Sequence, residues 1–433
     1  MVSLPLSVWR FVYQLLLLMA FPWVHLRLRW RARKEPAYGE RIAERFGHVP
    51  STIPRLPIWF HTVSAGETIA AAPLIEALTR EFPQADFLVT TMTPTGSAQV
   101  AAKLSGSVAH CYAPYDFARS VRRFFERVEP RILVLMETEL WPNMIAQAHA
   151  HKTPALLVNA RLSERSARGY AKLGGMTKQM LSELRFIACQ YPDHAQRFLD
   201  LGADPARVGA LGSVKFDVSR PEDHAERVAQ LKAQWSLGQR PVWIAGSTHP
   251  GEDEIALAAH RLIAQEFSDA VLLLVPRHPS RADAVAELIT RSGFNYLRQS
   301  NSDESTATTP DVILGDIMGQ LLYLYGLSDV AFLGGSLVSV GGHNPIEAAI
   351  CGQPLIMGPE TFNFPDVVAA FSDAGCLTLV SDAESLARGV LGYFADPART
   401  HEHALAAQEV VASNTGATQR LLDLLRAEIR AVV

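Results

Sequence analysis

Cysteine is scarce in this chain, and the common metal-binding patterns are missing. The 433 residues contain four cysteines, which are far apart and form no Cys-x-x-Cys pair: Cys111, Cys189, Cys351 and Cys376. This spacing predicts neither a structural zinc site nor a disulfide framework, and it fits a reduced, cytoplasmic compartment. Neither Asp-x-Asp nor His-Glu-x-x-His occurs, so we expect no metal centre.

A strong charge of either sign is also lacking. The net charge is −4, with 19% charged and 48% hydrophobic residues. This composition is ordinary for a globular protein and indicates neither a nucleic-acid partner nor disorder. The chain is too long for one compact core, so we expect two or three domains.

The first residues differ from the rest of the chain. Leu4 to Leu26 are mostly apolar, and the basic stretch "RLRWRARK" follows at once. A spanning helix needs about 20 apolar residues, which this run just reaches. Since no cleavage site of small residues follows, we interpret 1–34 as a retained membrane anchor with its basic flank in the cytoplasm. The alternative is a buried N-terminal helix, which would not need five cations immediately after it.

Beyond Pro50 the chain alternates short apolar runs with helical segments, a rhythm typical of parallel sheets covered by helices. The rhythm occurs in two series, which predicts two doubly wound α/β domains facing one another across a cleft. We place them at 35–217 and 218–417, and the last helix, 418–433, is a candidate to pack back on the first domain. Ligands of such sheets bind beyond the carboxyl ends of the strands.

Two acidic motifs follow strands of the first series. In "SAGE", Ser64 and Glu67 fit a helix capping box, yet Glu67 also stands where active groups collect, beside the side-chain-free Gly66. Glu67 is therefore either a cap or a general base. In "ETELWP", Glu137 and Glu139 follow a strand and would point the same way in extended geometry.

The stretch "GGHNPIE" offers a similar choice in the second series. Asn344 before Pro345, with Glu347 three residues on, resembles a capping box, and the local pattern alone favours that interpretation. The functional alternative is a nucleotide site, in which a phosphate meets the helix N-terminus and Glu347 binds ribose hydroxyls. Gly341 and Gly342 would then allow close approach.

Basic residues stand at other strand ends. Arg277 and His278 follow one strand, Lys215 lies at the exit from the first domain, and Arg161 and Arg165 lie on another strand-end loop. Each alone is more often solvated surface. Their shared location at strand ends favours an anion-binding cleft.

Taken in order, these motifs resemble those of the transferases of 3-deoxy-D-manno-oct-2-ulosonic acid (Kdo). The resemblance covers nearly the whole chain, from "YGERIAERFG" through "SAGE", "ETELWPN", "NARLSERS", "GSVKFD", "AGSTHPGE", "PRHP", "DIMGQL" and "GGHNPIE" to "NFPDV". It implies a GT-B fold and transfer of Kdo from CMP-Kdo to a lipid A precursor, tetraacyldisaccharide 1,4'-bisphosphate. It also implies contact with membrane lipid at the cytoplasmic face of the inner membrane, without a cofactor.

The resemblance also implies roles for single residues. Glu67 matches the family's general base, while Glu137 and Lys215 match residues thought to stabilise the transition state. The CMP contacts match Arg277, His278, Met318, Gly319, Gln320, Asn344, Pro345, Ile346 and Glu347. Ser64, Gly66, Arg161 and Arg165 are candidates for binding the acceptor. The chain departs from the family at Gln320, where Glu is common, and at Ser213, where Asn is commoner.

Three other interpretations remain open on the residues. One is a GT-B transferase that uses a UDP-sugar, since sequence does not distinguish cytosine from uracil recognition. Another is a nucleotide-sugar epimerase, which would need no membrane anchor. The third is a membrane-bound binding protein, which would need no base at Glu67.

Overall fold

A computed structural model describes residues 6–301 and 309–433. The described chain forms two compact units. Unit 1 comprises the chain up to Asp217 together with Thr415–Val433, and unit 2 comprises Val218–Asn414. The first five residues of the predicted anchor lie outside the described residues.

Unit 1 is built on a seven-stranded, fully parallel sheet in the order β3-β2-β1-β4-β5-β6-β7. Its strands are β1 (Ile58–His61), β2 (Phe87–Thr91), β3 (Ala109–Tyr112), β4 (Ile132–Met136), β5 (Ala155–Ala160), β6 (Phe186–Cys189) and β7 (Val208–Ala210). Its first helices are α1 (Leu6–Lys34), α2 (Ala65–Glu81), α3 (Pro94–Leu104), α4 (Ala118–Val128), α5 (Pro142–Ala150), α6 (Glu164–Lys172), α7 (Gly175–Ser182) and α8 (Pro192–Asp200).

Unit 2 repeats this plan with a second parallel sheet, in the order β10-β11-β9-β8-β12-β13-β14. Its strands are β8 (Val242–Thr248), β9 (Val271–Pro276), β10 (Tyr296–Arg298), β11 (Val312–Leu314), β12 (Val330–Leu333), β13 (Leu355–Met357) and β14 (Leu377–Leu379). Its helices are α9 (His224–Gln234), α10 (Glu252–Glu266), α11 (Ala282–Arg291), α12 (Leu321–Leu327), α13 (Ile346–Ile350), α14 (Pro365–Asp373), α15 (Ala383–Ala395) and α16 (Pro397–Asn414). Two doubly wound sheets were predicted, and this prediction is confirmed.

The sheet of unit 1 is buried on both faces because alternate side chains enter opposite apolar layers. Ile58 and Phe60 of β1 pack into one layer, whereas Trp59 packs into the other with Phe124 and Phe125 of α4. The indole N–H of Trp59 donates to the hydroxyl of Thr90 at 2.8 Å, so its polar atom is satisfied inside the core.

The last helix, α17 (Ala417–Arg430), belongs to unit 1. Its apolar residues Ala417, Leu421, Leu425 and Ile429 recur every four positions, are fully buried, and join the layer that contains Phe60. Both carboxylate oxygens of Asp217 accept N–H bonds at the start of α17, from Gly416 and Thr418. Asp217 therefore caps the helix that completes the core of unit 1.

Replacing Leu425 by alanine should lower the free energy of unfolding by about 2–5 kcal/mol, because a fully buried side chain leaves a cavity. Equilibrium urea unfolding measures this change. Leu405→Ala, at an exposed leucine of α16, is the matched control and should cost less than about 0.5 kcal/mol. Equal effects of the two substitutions would mean that α17 is not part of the core.

Candidate functional site

The chain reverses its winding direction beside β1, the central strand of unit 1. From β1 the sheet proceeds to β2 and β3 on one side and to β4 and β5 on the other. The loops after β1 and β4 therefore diverge to opposite faces and leave a crevice at the carboxyl ends of these two strands. Glu67 follows β1, and Glu137 and Glu139 follow β4, so the fold brings the two predicted acidic motifs to one place.

Glu67 lies in the first turn of α2 and is only 7% exposed. One of its carboxylate oxygens accepts the backbone N–H of Val63 at 2.8 Å, and the other accepts the hydroxyl of Ser64 at 2.9 Å. The Ser64 oxygen accepts the Glu67 N–H in return, at 3.4 Å. The predicted capping arrangement is confirmed, with Val63 in place of Ser64 as the backbone donor.

Besides capping the helix, Glu67 has a raised pKa. Burial, the negative charge of Glu139 and that of Glu137 together raise the pKa of Glu67 to about 8. The hydrogen bonds from Val63 and Ser64 act in the opposite direction but are outweighed. A carboxyl group with such a pKa exchanges its proton near neutral pH, which is the property that a general base needs.

Glu137 turns the chain sharply out of β4. Its φ is +55°, in the left-handed region, and its N–H donates to the Val158 carbonyl at 3.0 Å. The prediction that Glu137 and Glu139 continue an extended strand is therefore wrong, since the strand ends at Met136. Glu139 accepts the indole N–H of Trp141, and burial raises the pKa of its carboxyl group.

The predicted basic residues of unit 1 have separate locations. Arg161 adjoins the acidic loop through its backbone, because its N–H donates to the Glu137 carbonyl at 3.4 Å and its carbonyl accepts the Thr138 hydroxyl at 2.7 Å. Lys215 lies in the turn Val214–Phe216, which β5 holds through a 3.3 Å bond from the Val214 N–H to the Asn159 side chain. Arg165 is exposed in the first turn of α6.

Gly66 is exposed beside Glu67, and the packing does not require a glycine there. A Cβ at this position would meet only the Ser64 hydroxyl, at 3.9 Å. The space above the start of α2 is therefore open to a ligand of unit 1.

Unit 2 has its own reversal point beside β8, which lies between β9 and β12. His249 follows β8, Arg277 and His278 follow β9, and His343 precedes α13 on the segment after β12. The Nε2 atoms of His249 and His343 are 2.9 Å apart and their rings are stacked, while the ring of His278 stands perpendicular to that of His249 at 6.1 Å.

This cluster combines neutral rings with a fixed cation. Burial lowers the pKa of His343 to about 4, and His249, Arg277 and His278 contribute in the same direction. Burial also lowers the pKa of His249. Both rings are thus neutral at pH 7, and the positive charge resides on Arg277. The arrangement suits an anion held by N–H donors around one guanidinium group.

A fully buried carboxylate, that of Glu252, holds the loops of this site together. One oxygen accepts the N–H groups of His249 and Gly335 at 2.9 and 2.6 Å, and the other accepts those of Ser336 and Leu337 at 3.0 and 2.9 Å. Glu252 lies in the motif "STHPGE" at the start of α10, but three of its four partners, Gly335, Ser336 and Leu337, stand more than eighty residues away. The sequence therefore gave no signal for this role, nor for the pairing of His249 with His343.

In the "GGHNPIE" segment Asn344 bonds to the start of α13, but the helix begins at Ile346, so Pro345 and not the predicted Asn344 is its N-cap residue. Asn344 accepts the Ile346 N–H at 3.1 Å, at the start of α13. The side chain of Glu347 makes no hydrogen bond within residues 6–301 and 309–433, so its predicted capping role is wrong. It is partly buried, which raises the pKa of its carboxyl group, and Arg277 counteracts this shift. The helix has only five residues, and its first N–H group is already bound.

The glycine pair before His343 is required by the backbone. Gly341 and Gly342 have φ values of +102° and +72°, and their N–H groups donate to the Gly335 carbonyl at 3.1 and 2.7 Å. A Cβ on Gly341 would meet the Phe362 ring at 2.5 Å. These glycines therefore shape the loop that carries His343 and Asn344.

Met318, Gly319 and Gln320 form the turn between β11 and α12, beyond the carboxyl end of the strand next to β9. Met318 is 65% exposed, and Gly319 has a φ of +82° with open space around it. Pro345 and Ile346, by contrast, are buried. Among the described residues, no group of three or more His, Cys, Asp or Glu side chains could hold a metal ion.

Comparison with known proteins gives the following similarities. Residues 40–218 match the family described as 3-Deoxy-D-manno-octulosonic-acid transferase (kdotransferase). A 3-deoxy-D-manno-octulosonic acid transferase of Haemophilus influenzae is 40% identical over 421 residues, which cover 96% of this chain and 98% of that protein.

Two solved structures share the fold at low sequence identity. UDP-GlcNAc 2-epimerase from Neisseria meningitidis gives a TM-score of 0.56 at 15% identity and covers 86% of this chain and 100% of its own. A glycosyltransferase from Rickettsia africae gives 0.54 at 14% identity and covers 86% of this chain and 98% of its own. The predicted GT-B fold class is confirmed by these likenesses and by the two parallel sheets.

Glu252→Gln should destabilise unit 2 by about 2–6 kcal/mol, because two backbone N–H groups lose their acceptor at about 1–3 kcal/mol each. Urea unfolding measures the loss, and hydrogen exchange followed by mass spectrometry should show faster exchange at 335–337. Glu266→Gln, on the exposed end of α10, is the control. Unchanged exchange at 335–337 in the Glu252 variant would contradict the role of this carboxylate.

Proposed function

The chain belongs to the 3-deoxy-D-manno-octulosonic acid (Kdo) transferase family, and from this we propose that it moves Kdo from CMP-Kdo to a lipid A precursor. The acceptor is tetraacyldisaccharide 1,4'-bisphosphate, and the reaction inverts the anomeric centre of Kdo. The observation that carries the mechanism is the pKa of about 8 at the buried carboxyl group of Glu67.

Glu67 is the general base of this reaction. An acceptor hydroxyl attacks C2 of Kdo, the bond from C2 to the phosphate oxygen breaks, and CMP leaves with the electron pair. The hydroxyl proton goes to the carboxylate of Glu67, whose basicity is raised by burial and by Glu139 and Glu137. Direct attack from the side opposite CMP inverts C2. The open space at Gly66 lets the hydroxyl reach Glu67.

Unit 2 binds the CMP part of the donor. Arg277 offsets the charge of the phosphate, and His278 and the His249–His343 pair supply N–H donors beside it. Because the N-terminus of α13 is already occupied by Asn344, we assign the phosphate to Arg277 rather than to that helix.

Glu347 binds the ribose. Its carboxylate is partly buried without a hydrogen-bond partner among the described residues, which is a costly state that a pair of adjacent hydroxyls would relieve. The exposed turn of residues 318–320 contributes an apolar contact and polar groups to the nucleobase of CMP.

Further residues of unit 1 neutralise the remaining charges. Lys215 offsets the negative charge of the donor's carboxylate or phosphate. Glu137 orients Lys215. Arg161 and Arg165 pair with phosphates of the acceptor. Arg161 has backbone contact with the Glu137 loop, which supports its place near the reacting groups.

Helix α1 holds the enzyme at the cytoplasmic face of the inner membrane. Its segment Phe11–Lys34 is long and apolar enough to cross a bilayer by length and composition. Phe11, Leu15, Met19 and Trp23 recur every four residues and are exposed. A stripe of this kind on one helix face favours burial in lipid. The basic stretch "RLRWRARK" that follows it favours binding to anionic lipid headgroups.

Glu67→Gln should lower kcat for Kdo transfer by about 10²- to 10⁴-fold. Gln still fits a capping box, so folding and CMP binding should be retained. In the unaltered enzyme kcat/KM should rise with pH and level off above about 8, because the base must be ionised, and the variant should lose this rise. Glu76→Gln, an exposed acid on the same helix, is the control. Wild-type turnover in the Glu67 variant would refute the role of Glu67 as the general base.

Glu347→Gln should weaken CMP binding about tenfold, since a charged acceptor makes the stronger hydrogen bonds. Isothermal titration with CMP measures the dissociation constant. Competition with UMP tests whether the site prefers cytosine to uracil. Glu384→Gln, at an exposed position of unit 2, serves as the reference. A dissociation constant unaffected at Glu347 would remove the ribose contact, and stronger binding of UMP would indicate a UDP-sugar donor.

A further inference from the structure

A groove of about 810 Å³ runs between α1 and the body of unit 1. Leu17, Leu18 and Phe21 of α1 form one wall, and Phe46 and Phe117 contribute to the other. We call it the α1 groove. Its volume lies in the range of pockets that hold small organic ligands, and its walls are mainly apolar.

Helix α1 is fastened to the body of unit 1 at several points along the groove. At one end the Tyr13 hydroxyl donates to Asp116 at 2.8 Å, and the Gln14 amide donates to Asn143 at 2.5 Å. Further along, His25 stacks on Phe46, with ring centroids 4.4 Å apart. Between these points Phe21 packs edge-on against Phe46 and Phe117, with ring centroids 5.6 and 5.3 Å apart, whereas Leu18 is 70% exposed and left uncovered, which points to an apolar occupant.

The charges around the groove are all of one kind. Its fourteen lining residues include two arginines and two histidines but no aspartate or glutamate. Arg123 is engaged, since it donates to the Phe46 carbonyl at 2.9 Å and lies 2.7 Å from the His48 ring nitrogen. Arg119 is exposed and forms no ion pair within the described part of the chain. An occupant with an apolar body and an anionic end complements this lining.

The groove also has a defined position relative to Glu67. Phe117 and Arg119 lie beyond the carboxyl end of β3, at the same edge of the parallel sheet where Glu67 follows β1. Asp116, just before α4, accepts the N–H groups of Asn143 and Met144 in the first turn of α5. The loop that carries Glu137 leads directly into α5, so one connected layer joins the groove to the acidic residues.

From these features we propose that the α1 groove holds an acyl chain of the phosphorylated lipid acceptor, with Arg119 beside one of its phosphates. The proposal rests on the proposed function. It adds that the enzyme recognises the lipid part of its acceptor within unit 1, rather than only the sugar that is modified.

Ala118→Trp tests the proposal, because Ala118 is an exposed lining residue at the start of α4, where an indole would fill the groove. Initial rates are measured with CMP-Kdo and two acceptors in the same detergent: the tetraacyl disaccharide bisphosphate and its fully deacylated form. The variant should raise KM for the acylated acceptor at least tenfold and change KM for the deacylated one less than twofold. Ala101→Trp, at an exposed position of α3, should leave both unchanged.

A second pair of variants tests the charge. Arg119→Gln should raise KM for the acylated acceptor about fivefold, whereas Arg122→Gln should not. Arg122 is exposed on the same helix, pairs with Glu126 and does not line the groove.

The outcomes separate this proposal from the one on which it rests. Absence of Kdo transfer to either acceptor by the unaltered protein would overturn the proposed function itself. Transfer with equal KM values in the Ala118 and Ala101 variants would overturn the acyl-chain role of the α1 groove and leave the proposed function intact. Equal losses with both acceptors would place Ala118 at the sugar rather than at the acyl chain. If the Ala118 variant loses binding to liposomes but keeps its KM for the acylated acceptor, the groove holds bulk lipid, which also overturns the proposal.

Discussion

A parallel sheet that is covered on both faces has accessible polar groups only at the ends of its strands, and this constraint governs both units. The strands beside each reversal point, β1 and β4 in unit 1 and β8, β9 and β12 in unit 2, are buried along their whole length. The candidate side chains therefore stand just beyond a carboxyl end, either on a loop or in the first turn of the following helix. Glu67, Glu137, Arg277 and His278 all occupy such positions.

The two units use this edge with opposite electrostatics. Unit 1 collects carboxyl groups, and their mutual repulsion together with burial moves the pKa of Glu67 up to about 8. Unit 2 collects histidines around Arg277, and burial keeps the ring of His343 neutral, with a pKa of about 4. One unit is thereby suited to accept a proton and the other to hold an anion. Transfer from a nucleotide-activated sugar to a hydroxyl requires one group of each kind.

Much of this was predictable from sequence because it depends on short-range patterns. The alternation of strands and helices predicts both sheets, the strand-end rule selects Glu67 and Arg277, and the Asn-Pro pattern at a helix start selects Asn344. What was missed depends on contacts between distant segments or on single backbone torsions. Glu252 is an ordinary acid in a helix start until the loop from Gly335 folds over it. The left-handed turn at Glu137 and the absence of a capping bond at Glu347 likewise leave no periodic trace in the sequence.

The position of α17 has a consequence for biosynthesis. The layer that contains Ile58 and Phe60 is closed by Leu421, Leu425 and Ile429, which are made after the whole of unit 2. At about 5–20 residues per second, the ribosome needs on the order of 20–70 s to travel from one set to the other. By the end of that interval all of unit 2 has been made, whereas unit 1 still lacks the helix that covers one of its apolar layers. Unit 1 is thus the part of the nascent protein that exposes apolar surface longer, and loss of α17 would leave this layer open to aggregation and proteolysis.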